Sequence, residues 1–413
     1  MIGPSARRGL VSSVLCATAM AQFLFVSSYD GNVTTLDMGA LSSSRPKAAP
    51  DGKVPKPVEL KTVGKTTACG DSPSILRLDM KRRIVYCLNE GIVSGKGGLA
   101  ALQMNDKTAA LESGTLKEGD PGPVFGGLFP GGKSMAVANF GNASISVWDV
   151  SDPNNLRITQ TERFTLDKPG PVADKQTASK PHQTLVDPTG KFVVVCDFGA
   201  DMLRIFRIDG EKLTAAGNAS VEAGSGPRHA AFTKPQNNKA RMVLVNELSP
   251  RVDVFDVAYE GDGMELKLAS SVPVHGEGTQ APKDAFPSEV VISPDNKFVM
   301  VSSRNENKLK ATDFRSGTEI ASDPIISFTL DETTGKLKDA KEVPAGGKFP
   351  RQFSMNKAGT MLAVALQKDE RVLLIPRDPS DGTLGAAPVA FASVPGEVTS
   401  VIFAETSDEE HVN

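Results

Sequence analysis

One repeated phrase constrains this chain more than any other feature: an apolar run, a turn of the Asp-Pro-x-Gly-Lys-Phe kind, a second apolar run, a polar break and a third apolar run. In its clearest copy, residues 182–208, Thr184-Leu185-Val186 leads into Asp187-Pro188-Thr189-Gly190-Lys191. Phe192-Val193-Val194-Val195, Asp197-Phe198-Gly199-Ala200-Asp201 and Leu203-Arg204-Ile205-Phe206 follow. Related copies occupy residues 74–90, 126–150, 229–257, 288–314 and 352–378. Successive copies start roughly 50 to 60 residues apart, a period in the range of propeller blades and kelch-like arrays. A seventh unit can be assembled from both ends of the chain, because Gln22-Phe23-Leu24-Phe25-Val26-Ser27-Ser28, Val33-Thr34-Thr35-Leu36 and Val398-Thr399-Ser400-Val401-Ile402-Phe403 all read as strands.

The runs are short, rich in Val, Ile, Phe and Thr, and bounded by Gly, Pro, Asn and Asp, the pattern of strands joined by tight turns. No stretch keeps apolar residues at i, i+3, i+4, i+7 over three turns, and 38 Gly with 28 Pro interrupt the chain too often for long helices. Four-stranded sheets set radially around a channel satisfy this pattern, since each buries both faces against its neighbours. The expected fold is therefore all-β, a seven-bladed β-propeller whose ring is closed by the N- and C-terminal strands in one blade. It is a single domain over residues 22–405 with a tail at 406–413. Residues 41–57, 167–180 and 276–286 read as surface loops or channel rims.

Residues 1–21 carry Arg7 and Arg8, an apolar core from Leu10 to Ala17 and small residues at Ala17, Ala19 and Ala21, which fits a secretory signal peptide. That core is too short to span a membrane. Sequons at Asn32, Asn142 and Asn218, all beside turn residues, fit glycosylation of an extracellular or cell-wall protein. Outside the leader stand Cys69, Cys87 and Cys196, with no metal-ligand spacing. An oxidising compartment permits a Cys69–Cys87 disulfide; the other reading makes Cys87, like Cys196, a buried hydrophobe inside a strand. A net charge of −3 with interspersed signs provides no basic stripe for nucleic acid and no polybasic membrane patch.

In a ring of blades, residues at equivalent positions converge on one channel mouth. Pro181-His182, Gly226-Pro227-Arg228-His229, Asn246-Glu247, Pro287-Ser288-Glu289, Ser303-Arg304-Asn305 and Pro350-Arg351 are placed to do so. Of four His in the chain, His182 and His229 read as occupying the same point of adjacent blades, at the start of the first strand. Arg228 and Arg351 each follow a Pro ahead of a first strand, and Glu247, Arg304, Asn89, Asn139 and Asp197 each follow a second strand. Asp197 and Asp201 fit ordinary turn chemistry, and Trp148 fits packing. A funnel holding Arg228, Arg304 and Arg351 with His182, His229, Glu247 and Glu289 is net positive and suits a small carboxylate-bearing or phosphorylated ligand. There is no Gly-x-Ser-x-Gly elbow, Walker loop, His-Glu-x-x-His or Cys-x-x-Cys, so serine-hydrolase, nucleotide and zinc chemistry lack support.

Taken together, Pro181-His182 before Asp187-Pro188-Thr189-Gly190-Lys191-Phe192, Gly226-Pro227-Arg228-His229, Asn246-Glu247-Leu248, Pro287-Ser288-Glu289 and Ser303-Arg304-Asn305 resemble the lactonase family of seven-bladed propellers. That family includes bacterial 6-phosphogluconolactonases and fungal 3-carboxymuconate cyclases. The resemblance to the fungal enzymes implies His182, Arg228, Glu247 and Arg304 as the catalytic set; the funnel reading adds His229, Glu289 and Arg351 as substrate-binding residues. It also implies no metal or other cofactor and an intramolecular lactonizing reaction with His182 or Glu247 as proton donor. Hydrolysis of a sugar lactone is the second reading, and a non-catalytic adhesion propeller at the cell surface is the third.

Overall fold

The computed structural model describes residues 23–42, 56–106, 108–112, 114–236 and 239–405. The expected leader at 1–21, the tail at 406–413 and most of the 41–57 insertion lie outside them. Seven sheets follow one another around a ring, each built on four antiparallel strands with the first innermost. We number the blades in chain order from the first complete one, with innermost strands Pro73–Asp79, Pro123–Leu128, Pro181–Val186, Pro227–Phe232, Phe286–Ile292, Pro350–Met355 and, for the seventh, Val398–Phe403.

The seventh blade closes the ring as expected. Val398–Phe403 pairs antiparallel with Phe23–Ser28, in the register Leu24↔Phe403 and Val26↔Val401, and Val33–Asp37 and Lys61–Thr66 complete the sheet. Because the two chain ends hydrogen-bond to one another inside one sheet, no blade exposes a long central edge.

The repeated turn explains why the first two strands of each blade pair so regularly. In the third blade the buried Asp187 carboxylate accepts from the backbone N–H groups of Thr189, Lys191 and Phe192 at 2.7–2.9 Å, and Gly190 supplies the positive φ that the turn needs. In the sixth blade Asn356 does the same for Thr360 and Met361, and in the fifth Ser293 accepts from the Phe298 N–H. Core residues alternate between blade interfaces. Val194, Cys196 and Leu203 of the third blade pack with Phe232, Met242 and Leu244 of the fourth, while Val193 and Val195 pack with Ala136 and Val147 of the second. Burying each Val or Leu in this way stabilises the ring by about 1.5–3 kcal/mol.

Expectations for the fifth blade and for Asn218 need correction, and the choice left open at Cys87 is decided. The third strand of the fifth blade is Pro324–Leu330; the run at residues 309–314 instead opens an inserted hairpin, Leu309–Thr312 with Glu319–Ser322. That run has no buried residue, whereas Pro324–Leu330 is almost wholly buried. Val58–Glu59, near the end of the 41–57 insertion, adds a short parallel strand to the outer edge of the sixth blade. Asn218 lies within the outermost strand Lys212–Ser220 and is exposed there, while Asn32 and Asn142 are half buried in turns. Cys87 is bonded to Cys69, with Cα atoms 5.8 Å apart, and Cys196 remains a buried free thiol.

Candidate active site

Five of the seven inner strands open on a Pro, and each of the seven has an irregularity in pairing near its start. In the first, second, third, fourth and sixth blades the register skips Ser74, Val124, His182, Arg228 and Arg351, respectively. In the fifth it skips Ser288 and Glu289, and in the seventh Thr399 is left out of the pairing. A bulged residue leaves the ladder and re-aims its side chain. Ser74, Val124, His182, Arg228, Arg351 and Thr399 accordingly line one open cavity, together with His229. A second ring is formed by the residue directly after each blade's second strand, here Tyr29, Glu90, Phe140, Phe198, Glu247, Asn305 and Gln367.

Charges from the two rings meet in pairs. Glu247 Oε2 lies 2.8 Å from Arg228 Nε and 2.7 Å from Arg304 Nη2, so one carboxylate joins the fourth and fifth blades through two guanidinium groups. Arg228, 2 % exposed, also donates to the Ser288 carbonyl at 2.8 Å, and Arg304 donates to the Phe286 carbonyl at 3.0 Å. Across the mouth Glu90 accepts from Tyr29 Oη at 2.5 Å and Ser74 Oγ at 2.9 Å, and lies 3.7 Å from Arg351 Nη2. The Arg351 guanidinium covers the Tyr29 ring, and that of Arg304 covers Phe349.

Two imidazoles sit between these clusters with ring centroids 4.9 Å apart. His182 packs edge-on against Phe140, and its buried Nδ1 has no hydrogen-bond partner among the described residues. His229 packs edge-on against Phe125; its Nδ1 lies 3.0 Å from Glu289 Oε1, and its buried Nε2 is likewise without a partner. Burial, reinforced by Arg228, holds both imidazoles well below the usual histidine range, so both are neutral at pH 7. Burial pushes the Glu289 carboxyl up to about 7, against the pull of Arg228 and Arg77. Burial acts the same way on Glu247, but Arg304 and Arg228 outweigh it and leave that carboxylate below its ordinary range. Burial also lowers Arg228 to about 9, which leaves it cationic at neutral pH.

All seven residues expected at the mouth belong to one connected network. His182, Arg228, His229 and Arg351 line the cavity; Glu247, Arg304 and Glu289 stand behind them as partners. Three details differ from expectation. His182 shares its register with Arg228 and Arg351, whereas His229 is one residue further along and matches Glu289 and Gln352. Asn246, not Glu247, ends its second strand in register with Asn89, Asn139, Asp197 and Arg304. Neither expected proton donor is in its acidic form at pH 7, because Glu247 is held ionised by two guanidinium groups and His182 is kept a neutral imidazole by burial among cations.

Sequence reading missed Tyr29, Ser74, Arg77 and Glu90. Asn89-Glu90 repeats Asn246-Glu247, and that pairing was the available signal for Glu90. Arg77 stands alone among apolar neighbours on an inner strand and places its guanidinium over Phe125. Asp197 and Asp201 do turn work as expected. Asp197 accepts from Ser179 Oγ and the Lys180 N–H, pinning the 167–180 loop, and Asp201 accepts from the Gly226 N–H. Gly226 needs its positive φ, and a Cβ there would meet Leu248 at 2.6 Å, so the approach to Pro227-Arg228 is fixed.

Residues 38–403 match the family model described as "Lactonase, 7-bladed beta-propeller". A curated protein of Arthroderma benhamiae named "Probable 6-phosphogluconolactonase" is 28 % identical over 313 residues, 75 % of each chain. The 6-phosphogluconolactonase of Formosa agariphila is 26 % identical over 321 residues, 76 % of this chain and 84 % of that one. Among solved structures, the periplasmic gluconolactonase of Pseudomonas aeruginosa superposes with a TM-score of 0.70 at 23 % identity, covering 92 % of this chain and 98 % of the other, a likeness of fold.

Proposed function

This chain belongs to the family of seven-bladed β-propeller lactonases, and on that footing we propose that it hydrolyses a sugar lactone at the channel mouth. The observation that carries this reading is the pair of neutral imidazoles, His182 and His229, set in one cavity with the guanidinium groups of Arg228 and Arg351. Ester hydrolysis needs a base that is unprotonated at neutral pH and a cation where negative charge develops on the carbonyl oxygen. This mouth holds both. The curated relatives named 6-phosphogluconolactonases favour the lactone of a phosphorylated aldonic acid, and the cationic mouth accords with an anionic substrate.

Lactone formation on a muconate, the other chemistry implied by the resemblance, has to deliver a proton to carbon. Neither Glu247, held ionised, nor His182, held as neutral imidazole, is an acid at neutral pH, which counts against the two donors that cyclisation by this set would use. We also propose that the protein is exported. The leader-like residues 1–21, the sequons and the Cys69–Cys87 disulfide support this, and a cleaved N-terminus on protein recovered from the medium or cell wall would test it.

The deciding assay measures initial hydrolysis of 6-phosphoglucono-δ-lactone and of δ-gluconolactone above the spontaneous rate, beside loss of diene absorbance with 3-carboxymuconate. Saturable hydrolysis of either lactone is the expected result. Turnover of the muconate alone, or of none of the three, overturns the proposal.

A further inference from the structure

Arg228 and Arg304 are tied through Glu247, and Arg351 adjoins Glu90, yet one pair at the mouth has the geometry of a catalytic base and its support. His229 Nδ1 is held at 3.0 Å by Glu289 Oε1, and the same carboxylate oxygen also accepts from the Val290 N–H at 3.1 Å. The two residues come from the inner strands of the fourth and fifth blades and are both buried. A carboxylate that accepts from Nδ1–H fixes the tautomer with its lone pair on Nε2. On His229 that nitrogen is buried, unpartnered among the described residues, and belongs to a ring that lines the cavity. His182 lacks such support, because its own Nδ1 has no partner and its ring is held by aromatic edges.

We propose that His229 is the catalytic base of this site and that Glu289 is the residue that positions it, with His182 left to bind substrate. The proposal rests on the hydrolytic reading above. His229 Nε2 removes a proton from water as the water oxygen bonds to the lactone carbonyl carbon. The carbonyl electron pair moves onto oxygen beside Arg228 and Arg351. As that pair returns, the bond from carbon to the ring oxygen breaks, and the ring oxygen takes the proton back from Nε2. One water is consumed, and an open-chain acid with a new hydroxyl leaves.

The fixed tautomer requires an ionised Glu289, since a protonated carboxyl would donate to Nδ1 and put the hydrogen on Nε2. The groups facing the pair are His182 from the third blade, Arg228 on the His229 strand, Arg77 from the first, Arg351 from the sixth and Arg304 from the fifth. Burial holds Glu289 near 7 in spite of these cations, so kcat/KM rises with pH across neutrality with unit slope and levels off above it.

Three variants measured on the full chain test the assignment. His229→Gln lowers kcat by about a hundredfold or more with little change in KM, and Glu289→Gln lowers kcat and abolishes the rise across pH 7. His182→Gln acts mainly on KM. Near wild-type kcat in His229→Gln, or an unchanged pH profile in Glu289→Gln, overturns the assignment while leaving lactone hydrolysis by the wild type intact. If the wild type hydrolyses neither lactone, the functional reading itself has failed. The pair is then judged by nitrogen NMR of labelled histidines. A neutral His229 carrying its proton on Nδ1 at pH 8, lost in Glu289→Gln, upholds the geometry; a proton on Nε2 overturns it.

Discussion

Two buried histidine clusters in this ring are opposites. At the mouth His182 and His229 face Arg228, Arg304 and Arg351, and both imidazoles are driven well below their ordinary range. On the fourth and fifth blades His275 is gripped from both sides, Nδ1 at 2.6 Å from Glu342 and Nε2 at 3.1 Å from Glu306, with Lys308 within 3.7 Å of both carboxylates. Burial lowers this imidazole too, but Glu306 and Glu342 outweigh it and the net shift is upward. Burial is common to both clusters; the sign of the neighbouring charge differs. An imidazole whose two ring nitrogens both meet carboxylates joins the segment at Glu306 to the strand carrying Glu342 and offers no open nitrogen for chemistry. Neutral rings with an open nitrogen can act as bases.

The sharpest way to break this contrast is to remove the charge that creates it. Arg228→Ala lowers kcat/KM for the lactone by about a thousandfold, the usual loss when a group stabilising transition-state charge is deleted; initial rates within tenfold of wild type would end the distinction. Next in size, His275→Leu leaves the buried Glu306 side chain with Lys308 as its remaining cation and costs about 3 kcal/mol in urea unfolding at pH 7, with kcat/KM within threefold. A large loss of activity there would place His275 on the functional side.

The smallest effect concerns pH. His182 and His229 have depressed folded pKa values, so the unfolded chain binds protons that the folded one refuses, and stability is lost as pH falls below the unfolded value of about 6.5. His275 is raised, so its contribution is full below that value and is lost as pH rises through its folded pKa. His182→Gln therefore recovers about 1–2 kcal/mol of the stability lost by wild type at pH 5, measured by denaturant titration at pH 5 and 8. An equal gain at both pH values would show that burial, and not protonation, was being relieved.

Much of the site could be read before any coordinates. The recurrence of Pro before His182, Arg228 and Arg351 marked the bulge that turns those side chains to the axis, and Asn-Glu after a second strand marked Glu247. The same motif at Asn89-Glu90 went unused because no charged residue beside it in sequence suggested a partner. Arg351 and Tyr29, which adjoin Glu90, lie hundreds of residues away in one direction and in the closing blade in the other. The inserted hairpin at 309–322 was misread as a strand of the blade because its residues have ordinary strand chemistry; only its half-exposed faces set it apart.

Sequence alone determined the repeated turns, the alternation of strands and hence the blades, the closure of the ring by both chain ends, and part of the set of side chains delivered to the mouth. These depend on short-range rules: an Asp carboxylate or Asn amide oxygen accepting from nearby N–H groups, a Gly taking positive φ, and apolar runs that must be covered. Which nitrogen of His229 is held, which carboxylate stays ionised and which guanidinium groups share it were decided only by tertiary structure. Those properties depend on distances of a few ångströms between residues such as His229 and Glu289, which are 60 positions apart in sequence, and on the burial that makes such neighbours count.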